Sequence, residues 1–201
     1  MLEKTDKQRG YTIIETMIAI SVFLIAVMSG MGALLNANLL HQKSQDMRSI
    51  IDNLSFIMED MSRNIRTGYN YRCISDGNFS SNINSPRSCN SGGAIAFESA
   101  SGNKNLDTDQ WVYKIESQDG GVTFNISRSV AGGAAGSWVQ LNSSEININS
   151  FSGFSVVGAL PTSGDNQQPF VIIKLVGEIN YKDIETPFNL ETSVSQRLSD
   201  I

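Results

Sequence analysis

From Thr16 to Gln42 the chain carries no formally charged side chain when His41 is neutral, and no other feature constrains its fold as strongly. About 20 apolar residues in a helix suffice to cross a hydrocarbon core about 30 Å thick. The segment Met17 to Leu40 meets that requirement. Glu15 stands at its lip. A carboxylate in or beside a membrane span costs roughly 2.5–3.5 kcal/mol on insertion scales, so it marks a functional position whose partner should be a cation. The cations at hand are Lys4, Lys7 and Arg9, together with the α-amino group that a cut after Gly10 would release.

Two ordinary explanations of such a start stand beside this one; the first fails, and the second, a generic single-pass anchor, stays open as the alternative. A secretory signal peptide has an apolar core of about 7–15 residues and ends at a small-residue cleavage site. This core is too long and lacks that ending. A plain signal anchor accounts for basic residues before the span and a polar domain after it. It does not account for Gly10-Tyr11-Thr12-Ile13-Ile14-Glu15.

Lys7-Gln8-Arg9-Gly10, followed by Tyr11-Thr12-Ile13-Ile14-Glu15 and the apolar run through Phe23, resembles the prepilin cleavage site of type IV pilins and type II secretion pseudopilins. The resemblance implies that an inner-membrane prepilin peptidase and methyltransferase cuts between Gly10 and Tyr11 and N-methylates Tyr11. It makes Glu15 the assembly carboxylate. Tyr11 stands where the family usually has Phe, a mild aromatic exchange. The implied partners are that enzyme, other minor and major pilin or pseudopilin subunits, the inner-membrane assembly platform and membrane lipid. The implied location is a single-pass inner-membrane protein with its C-terminal domain outside, which then enters a pilus or pseudopilus.

Beyond the span the helical pattern continues. Met47, Ile50, Ile51, Leu54, Ile57, Met58, Met61 and Ile65 recur at steps of three and four, the period of one helical face. Arg48, Asp52, Glu59, Asp60 and Arg63 lie mostly off that face, and Glu59 with Arg63 makes an i,i+4 pair worth a few tenths of a kcal/mol. Gly68 supplies the stop. The expected organisation is a leader over 1–10, a helix over 11–68 with its transmembrane part at about 12–40, and a β-rich extracytoplasmic domain over 69–201. A continuous helix from Tyr11 to Thr67 would be about 85 Å long. Its second half must therefore pack on the globular domain. Within the span Gly30 and Gly32 form a weak spot, since each glycine costs about 1 kcal/mol against alanine in a helix interior. Close helix packing explains such residues in an isolated chain. In a filament the same residues are where the helix is expected to stretch or melt.

The composition changes after Gly68. Tyr69 to Gly93, rich in Asn, Ser and Gly and containing Pro86, reads as a long surface loop. It holds Cys73 and Cys89, the chain's two cysteines. Outside the cytoplasm they can be oxidised to a bridge, which for a loop of about 15 residues stabilises by about 3 kcal/mol on the chain-entropy model. The alternative is two unpaired thiols. Neither has the charged and His neighbours of a reactive nucleophile.

The rest reads as antiparallel sheet. Trp111, Tyr113 and Ile115 alternate, Asp119-Gly120-Gly121 turns, and Val122, Phe124 and Ile126 alternate again, which describes a hairpin. Further strands are expected at Ile146 and Ile148, at Phe154 and Val156, at Phe170 to Tyr181 and at Phe188 to Val194. Phe170 to Tyr181 is apolar on both faces and should lie centrally. Residues 130–136 and 161–166 read as loops. The fold class is α+β: a long N-terminal transmembrane and amphipathic helix packed on a C-terminal antiparallel β-sheet domain.

Short segments resemble the J-type minor pseudopilins and W-type minor pilins: the helix end Met58 to Arg66, Ala94 to Phe97, Trp138 to Leu141, Gln168 to Val171 and Glu191 to Arg197. The resemblance implies a minor subunit that initiates or caps assembly of a type IV pilus or type II secretion pseudopilus. The presence of Glu15 disfavours the K-type tip subunit. A membrane-anchored ligand-binding or adhesive domain is the alternative.

An enzyme is disfavoured because no nucleophile, base and orienting group can be assembled from the sequence. With two cysteines and one His, a zinc cluster is not expected. The glycine-rich 130–136 segment lacks the Lys-Ser or Lys-Thr and the helix of a phosphate loop. Neither a cofactor nor a catalytic residue is expected, and Asp107 and Asp109 read only as an exposed acidic pair. The chain carries 15 Lys and Arg against 20 Asp and Glu. An acidic balance of this kind argues against non-specific nucleic-acid binding.

Overall fold

A computed structural model of the protein describes residues 10–75, 83, 85–117, 120–121, 123–160, 167–181 and 184–197. The leader's Lys4, Lys7 and Arg9, the turn residue Asp119, Val122 and the 161–166 loop lie outside the described residues. The chain divides into two compact units, Met1–Met47 and Arg48–Ile201.

The first unit is helix. Helix α1 covers Ile13–Thr67, and its residues up to Met47 belong to this unit. Thr12 caps it: the Glu15 amide donates to Thr12 Oγ1 at 3.3 Å and to the Thr12 carbonyl at 3.1 Å, satisfying a donor that the first helical turn leaves open. No apolar residue of this stretch is buried. Ile13, Met17, Phe23, Met28, Leu34 and Leu40 are all more than 60% exposed, although the mean hydropathy of the segment's most apolar window is 2.4. Such a surface matches lipid or other apolar helices as its solvent. The helix runs unbroken through Gly30 and Gly32, and no atom lies where a side chain on either would project.

The second unit begins with the remainder of α1. Ile50, Leu54, Ile57, Met61 and Ile65 are buried at steps of four, three, four and four. Three residues of the expected face do not follow: Ile51 is exposed, and Met47 and Met58 are only half-buried. A helix laid on a sheet covers a narrow stripe, and Ile51 sits 100° of rotation from Ile50, outside it. The helix is tied down by polar groups as well as by its stripe. Arg128 Nη1 lies 3.1 Å from Asp60 Oδ2, Tyr113 donates its hydroxyl hydrogen to the same oxygen at 2.9 Å, and Asn64 Nδ2 donates to the Tyr113 oxygen at 2.8 Å. The expected Glu59–Arg63 pair forms at 3.0 Å on the solvent side.

Gly68 ends α1, but not by turning left-handed. Its amide closes onto the Asn64 and Ile65 carbonyls at 3.0 and 3.1 Å. A Cβ there would run into the Phe97 ring and come 2.8 Å from the Glu98 carbonyl. Close approach to the sheet is what requires glycine. The left-handed residue is Asn70, with φ 59°.

Among the described residues ten strands form one antiparallel sheet: β1 Tyr69–Ile74, β2 Cys89–Gly92, β3 Ala94–Glu98, β4 Trp111–Ser117, β5 Phe124–Ser129, β6 Val139–Gln140, β7 Ile146–Ile148, β8 Gly153–Val157, β9 Phe170–Tyr181 and β10 Ile184–Ser195. The order is β1-β3-β4-β5-β7-β9-β8-β2, with β10 along β9 and β6 along β5. The hairpin of β4 and β5, the strands β7, β8 and β10 and the central position of β9 agree with the sequence reading. Gly120 and Gly121, with φ 67° and 114°, sit in the expected turn.

The 69–93 segment corrects it. Instead of one surface loop, the segment contributes β1 and β2, and Tyr71, Cys73 and Ile74 are buried. Its Asn, Ser and Gly content concealed strands whose apolar positions are few. Strand β3 was also missed, and all five of its residues are buried. Phe97 packs among Tyr71, Tyr113 and Trp111 with ring centroids 6.0 to 6.4 Å apart. Ala94 and Ala96 lie in a second cluster with Ile74, Ile83 and Val112, against which Trp138 packs. A strand covered on both faces shows no alternation to read.

Candidate assembly site at the N-terminal helix

Gly10, Tyr11 and Glu15 stand together before and within the first turn of α1, and all three are exposed. No atom of the described residues lies near the place a Cβ at Gly10 would occupy, so nothing among them demands glycine there. Tyr11 is 82% exposed. Glu15 is the only acidic residue in the first turn, where aligned peptide dipoles favour negative charge. Thr12-Ile13-Ile14-Glu15 also has the spacing of a capping box. Glu15 is exposed, where a group from another molecule can reach its carboxylate.

The described part of the second unit offers little chemistry to compete with this. A groove of about 750 Å³ between the end of α1 and β10 is lined by Glu59, Arg63, Arg66, Val194 and Arg197 with the hydroxyl residues Ser62, Thr67, Thr192, Ser193 and Ser195, and no His is among them. The single His, His41, sits on α1 with its Nε2 3.0 Å from Gln45 Nε2. Among the described residues no group of three or more His, Cys, Asp or Glu side chains is placed to hold a metal ion. Tyr71 and Tyr113 have their hydroxyl pKa values pushed up, in each case chiefly by burial. Both hydroxyls serve structure: Tyr71 donates to the Ile65 or Gly68 carbonyl, each at 2.7 Å, which holds the helix end onto β1.

Cys73 and Cys89 are bonded to each other, with Cα atoms 5.8 Å apart and 16 residues of separation. The bridge joins β1 to β2, which pair with different neighbours: β1 with β3, and β2 with β8. Asp107 and Asp109 fall in a short 3₁₀ turn, Asp107–Asp109, where Asp107 is exposed and Asp109 is half-buried. The acidic pair is therefore not wholly a surface feature.

Residues 5–31 match the prokaryotic N-terminal methylation motif. The match includes Gly10, Tyr11, Glu15, Gly30 and the greater part of the apolar run, and it supports membership of the type IV pilin and pseudopilin superfamily. A motif of this kind implies processing by a prepilin peptidase and assembly with other pilin-type subunits. A single N-terminal apolar helix fits an inner-membrane anchor. No curated protein and no solved structure matches the chain.

Proposed function

We propose, on the premise that the N-terminal helix is that of a pilin-like structural subunit, that the protein is a minor pilin or pseudopilin that initiates or caps a type IV pilus or secretion pseudopilus. In this reading the leader 1–10 is removed, Tyr11 becomes the methylated N-terminus, and the 69–201 domain lies outside the inner membrane. The observation that carries it is the pairing of an apolar helix exposed along its whole first part with one carboxylate at its beginning. A surface of that kind is completed only by other helices or lipid.

Glu15 then supplies the register. After cleavage the α-ammonium of Tyr11 in a neighbouring subunit is a cation of the right charge at the right depth. In a low-dielectric layer the attraction between unit charges is many times that in water. A misplaced subunit leaves a charge unpaired, which the same layer penalises. Helices are thereby held staggered rather than flush. Gly30 and Gly32 provide the place where the helix stretches when subunits pack.

The test is Glu15→Gln, which keeps the shape and removes the charge. It should insert, be cleaved and fold normally, and its incorporation into sheared filaments should fall about tenfold at matched membrane levels, a change equivalent to about 1.4 kcal/mol. Equal incorporation would assign Glu15 to helix capping or enzyme recognition and remove it from assembly.

A further inference from the structure

We propose that the loop between β3 and β4 holds a calcium-sized divalent cation, bound by Glu98 and Asp109 with the side-chain carbonyl of Gln110. Three buried oxygens at the two ends of this loop accept no hydrogen bond: Glu98 Oε2, Asp109 Oδ1 and Gln110 Oε1. Glu98 and Gln110 are completely buried. Their mutual contact fixes how they point. Gln110 Nε2 donates to Glu98 Oε1 at 2.9 Å, so the amide cannot turn over without setting two oxygens against each other, and its Oε1 remains an acceptor.

The chain between these residues is folded tightly around them. The Gly102 amide donates to the Ser99 carbonyl at 2.9 Å, and the Tyr69 hydroxyl donates to the Gly102 carbonyl at 2.6 Å. A Cβ at Gly102 would lie 2.5 Å from Glu98 Oε2, which puts that oxygen directly against the turn. The next residue, Asn103, donates its amide hydrogen to Asp109 Oδ2 at 2.8 Å. One turn thus touches both carboxylates, one through Gly102 and the other through Asn103.

Electrostatics point the same way. The Glu98 carboxyl is pushed above its ordinary pKa, first by burial and then, against the lowering effect of the Gln110 hydrogen bond, by the charges of Asp109 and Asp107. Tyr69 is raised by burial, with the charges of Glu98 and Asp109 adding to it. Among the described residues neither Glu98 nor Asp109 forms an ion pair with Lys or Arg. Burying an unsatisfied carboxylate oxygen is expensive, and two carboxylates at one site aggravate it. All three unmet atoms are acceptors, so one cation satisfies them together where a neutral donor satisfies one.

The donor set consists only of oxygen, which selects hard cations over zinc or copper. Calcium accepts irregular mixtures of carboxylate, amide and backbone oxygens, whereas magnesium demands near-octahedral geometry and keeps its waters. Two carboxylates are few. The affinity belongs in the range of extracellular modules, about 10⁻⁴ to 10⁻³ M.

The experiment uses the full chain in detergent micelles, with unfolding of the sheet domain followed by tryptophan fluorescence in EDTA, in about 5 mM CaCl₂ and in about 5 mM MgCl₂. Calcium should raise the midpoint by about 3 °C and magnesium by less. Glu98→Gln and Asp109→Asn should each abolish the shift, and Glu191→Gln, on exposed β10, should retain it. Terbium supplies a direct reading, since Tyr69 stands beside the site: luminescence excited through tyrosine should appear in the wild type, fall when calcium is added and be lost in Asp109→Asn. That reading also decides the matter if Glu98→Gln does not fold. A wild type indifferent to calcium, or a calcium shift undiminished in both variants, overturns the site.

Discussion

Helix α1 is one element with two opposite economies. Up to Met47 it buries none of its apolar side chains, and from Ile50 to Ile65 it buries five. The methylation motif matched over residues 5–31 falls in the first part. The difference teaches where the information about each task resides. Residues of a core are chosen by neighbours within the chain, and many apolar combinations serve as long as volume and pattern hold. Residues that meet an enzyme or another subunit are fixed by a partner with its own demands. They look unexplained in the isolated chain, as Gly10 does.

The largest effect should come from the position that the fold does not need. Replacing Gly10 by Val disturbs no packing, since no atom lies within 4 Å of the place a Cβ would take. If the peptidase requires a small residue there, precursor should accumulate in the membrane with mature protein nearly absent, while the sheet domain keeps its stability. N-terminal sequencing and an immunoblot of membranes measure both. A mature N-terminus at Tyr11 in the variant at wild-type level would show that the first half of α1 is read less strictly than its motif implies.

The reverse dissociation belongs to the second half. Met61 is completely buried under the sheet, and truncating a buried Met to Ala typically costs 2–5 kcal/mol. Met61→Ala should lower the stability of the sheet domain by about that amount and leave cleavage unaffected. Leu34→Ala, at a position 71% exposed in the first unit, should leave the domain's urea midpoint within error. If both variants shift it equally, the division of the helix into two regimes fails.

The same division explains what the sequence disclosed. The apolar run, the carboxylate at its edge and the 3.6-residue stripe are periodic or costly, and both kinds of signal survive without a structure. Strands β4, β5, β7, β8, β9 and β10 alternate clearly enough to be read. Strands β1 and β2 are hidden among Asn, Ser and Gly. Strand β3 is hidden because Ala94, Ala96 and Phe97 are buried on opposite faces, leaving no polar side to mark the period. Glu98 and Gln110 were missed for another reason: nothing in a sequence distinguishes a buried polar residue from an exposed one. The reading of Gly68 as the helix stop was right in place, and its cause, close approach to Phe97 and Glu98, was not legible.

Disulfide removal probes a contact that joins two distant parts of the sheet. Replacing Cys73 and Cys89 together by Ser opens a loop of 16 residues, and the chain-entropy model gives a loss of about 3 kcal/mol. Unfolding in urea should show an earlier midpoint, with the far-ultraviolet circular dichroism of the folded state unchanged. Quantitative alkylation of both thiols in unreduced wild-type protein from an oxidising compartment would contradict the bridge itself.

The smallest effect expected is a pH dependence that comes only from the second region. A carboxyl whose pKa is higher folded than unfolded binds its proton more tightly in the folded state. Folding therefore gains from acid at this group, and the gain is lost as pH rises from the ordinary value of 4.5 through the raised one. In EDTA the wild-type sheet domain should lose stability across that interval by more than Glu98→Gln does. At neutral pH the variant should be at least as stable as the wild type, because it no longer carries the buried charge. Tyr71 and Tyr113 act in the same sense at the alkaline end, since burial keeps both hydroxyls protonated beyond the ordinary value of 10.0 and their contribution is lost above it. Urea midpoints taken from pH 4 to 7 in both proteins would separate Glu98 from the exposed carboxylates, which titrate alike in the two. Parallel curves would mean that Glu98 is solvated through the 99–102 turn, and the second region's buried charge would then cease to distinguish it from the first.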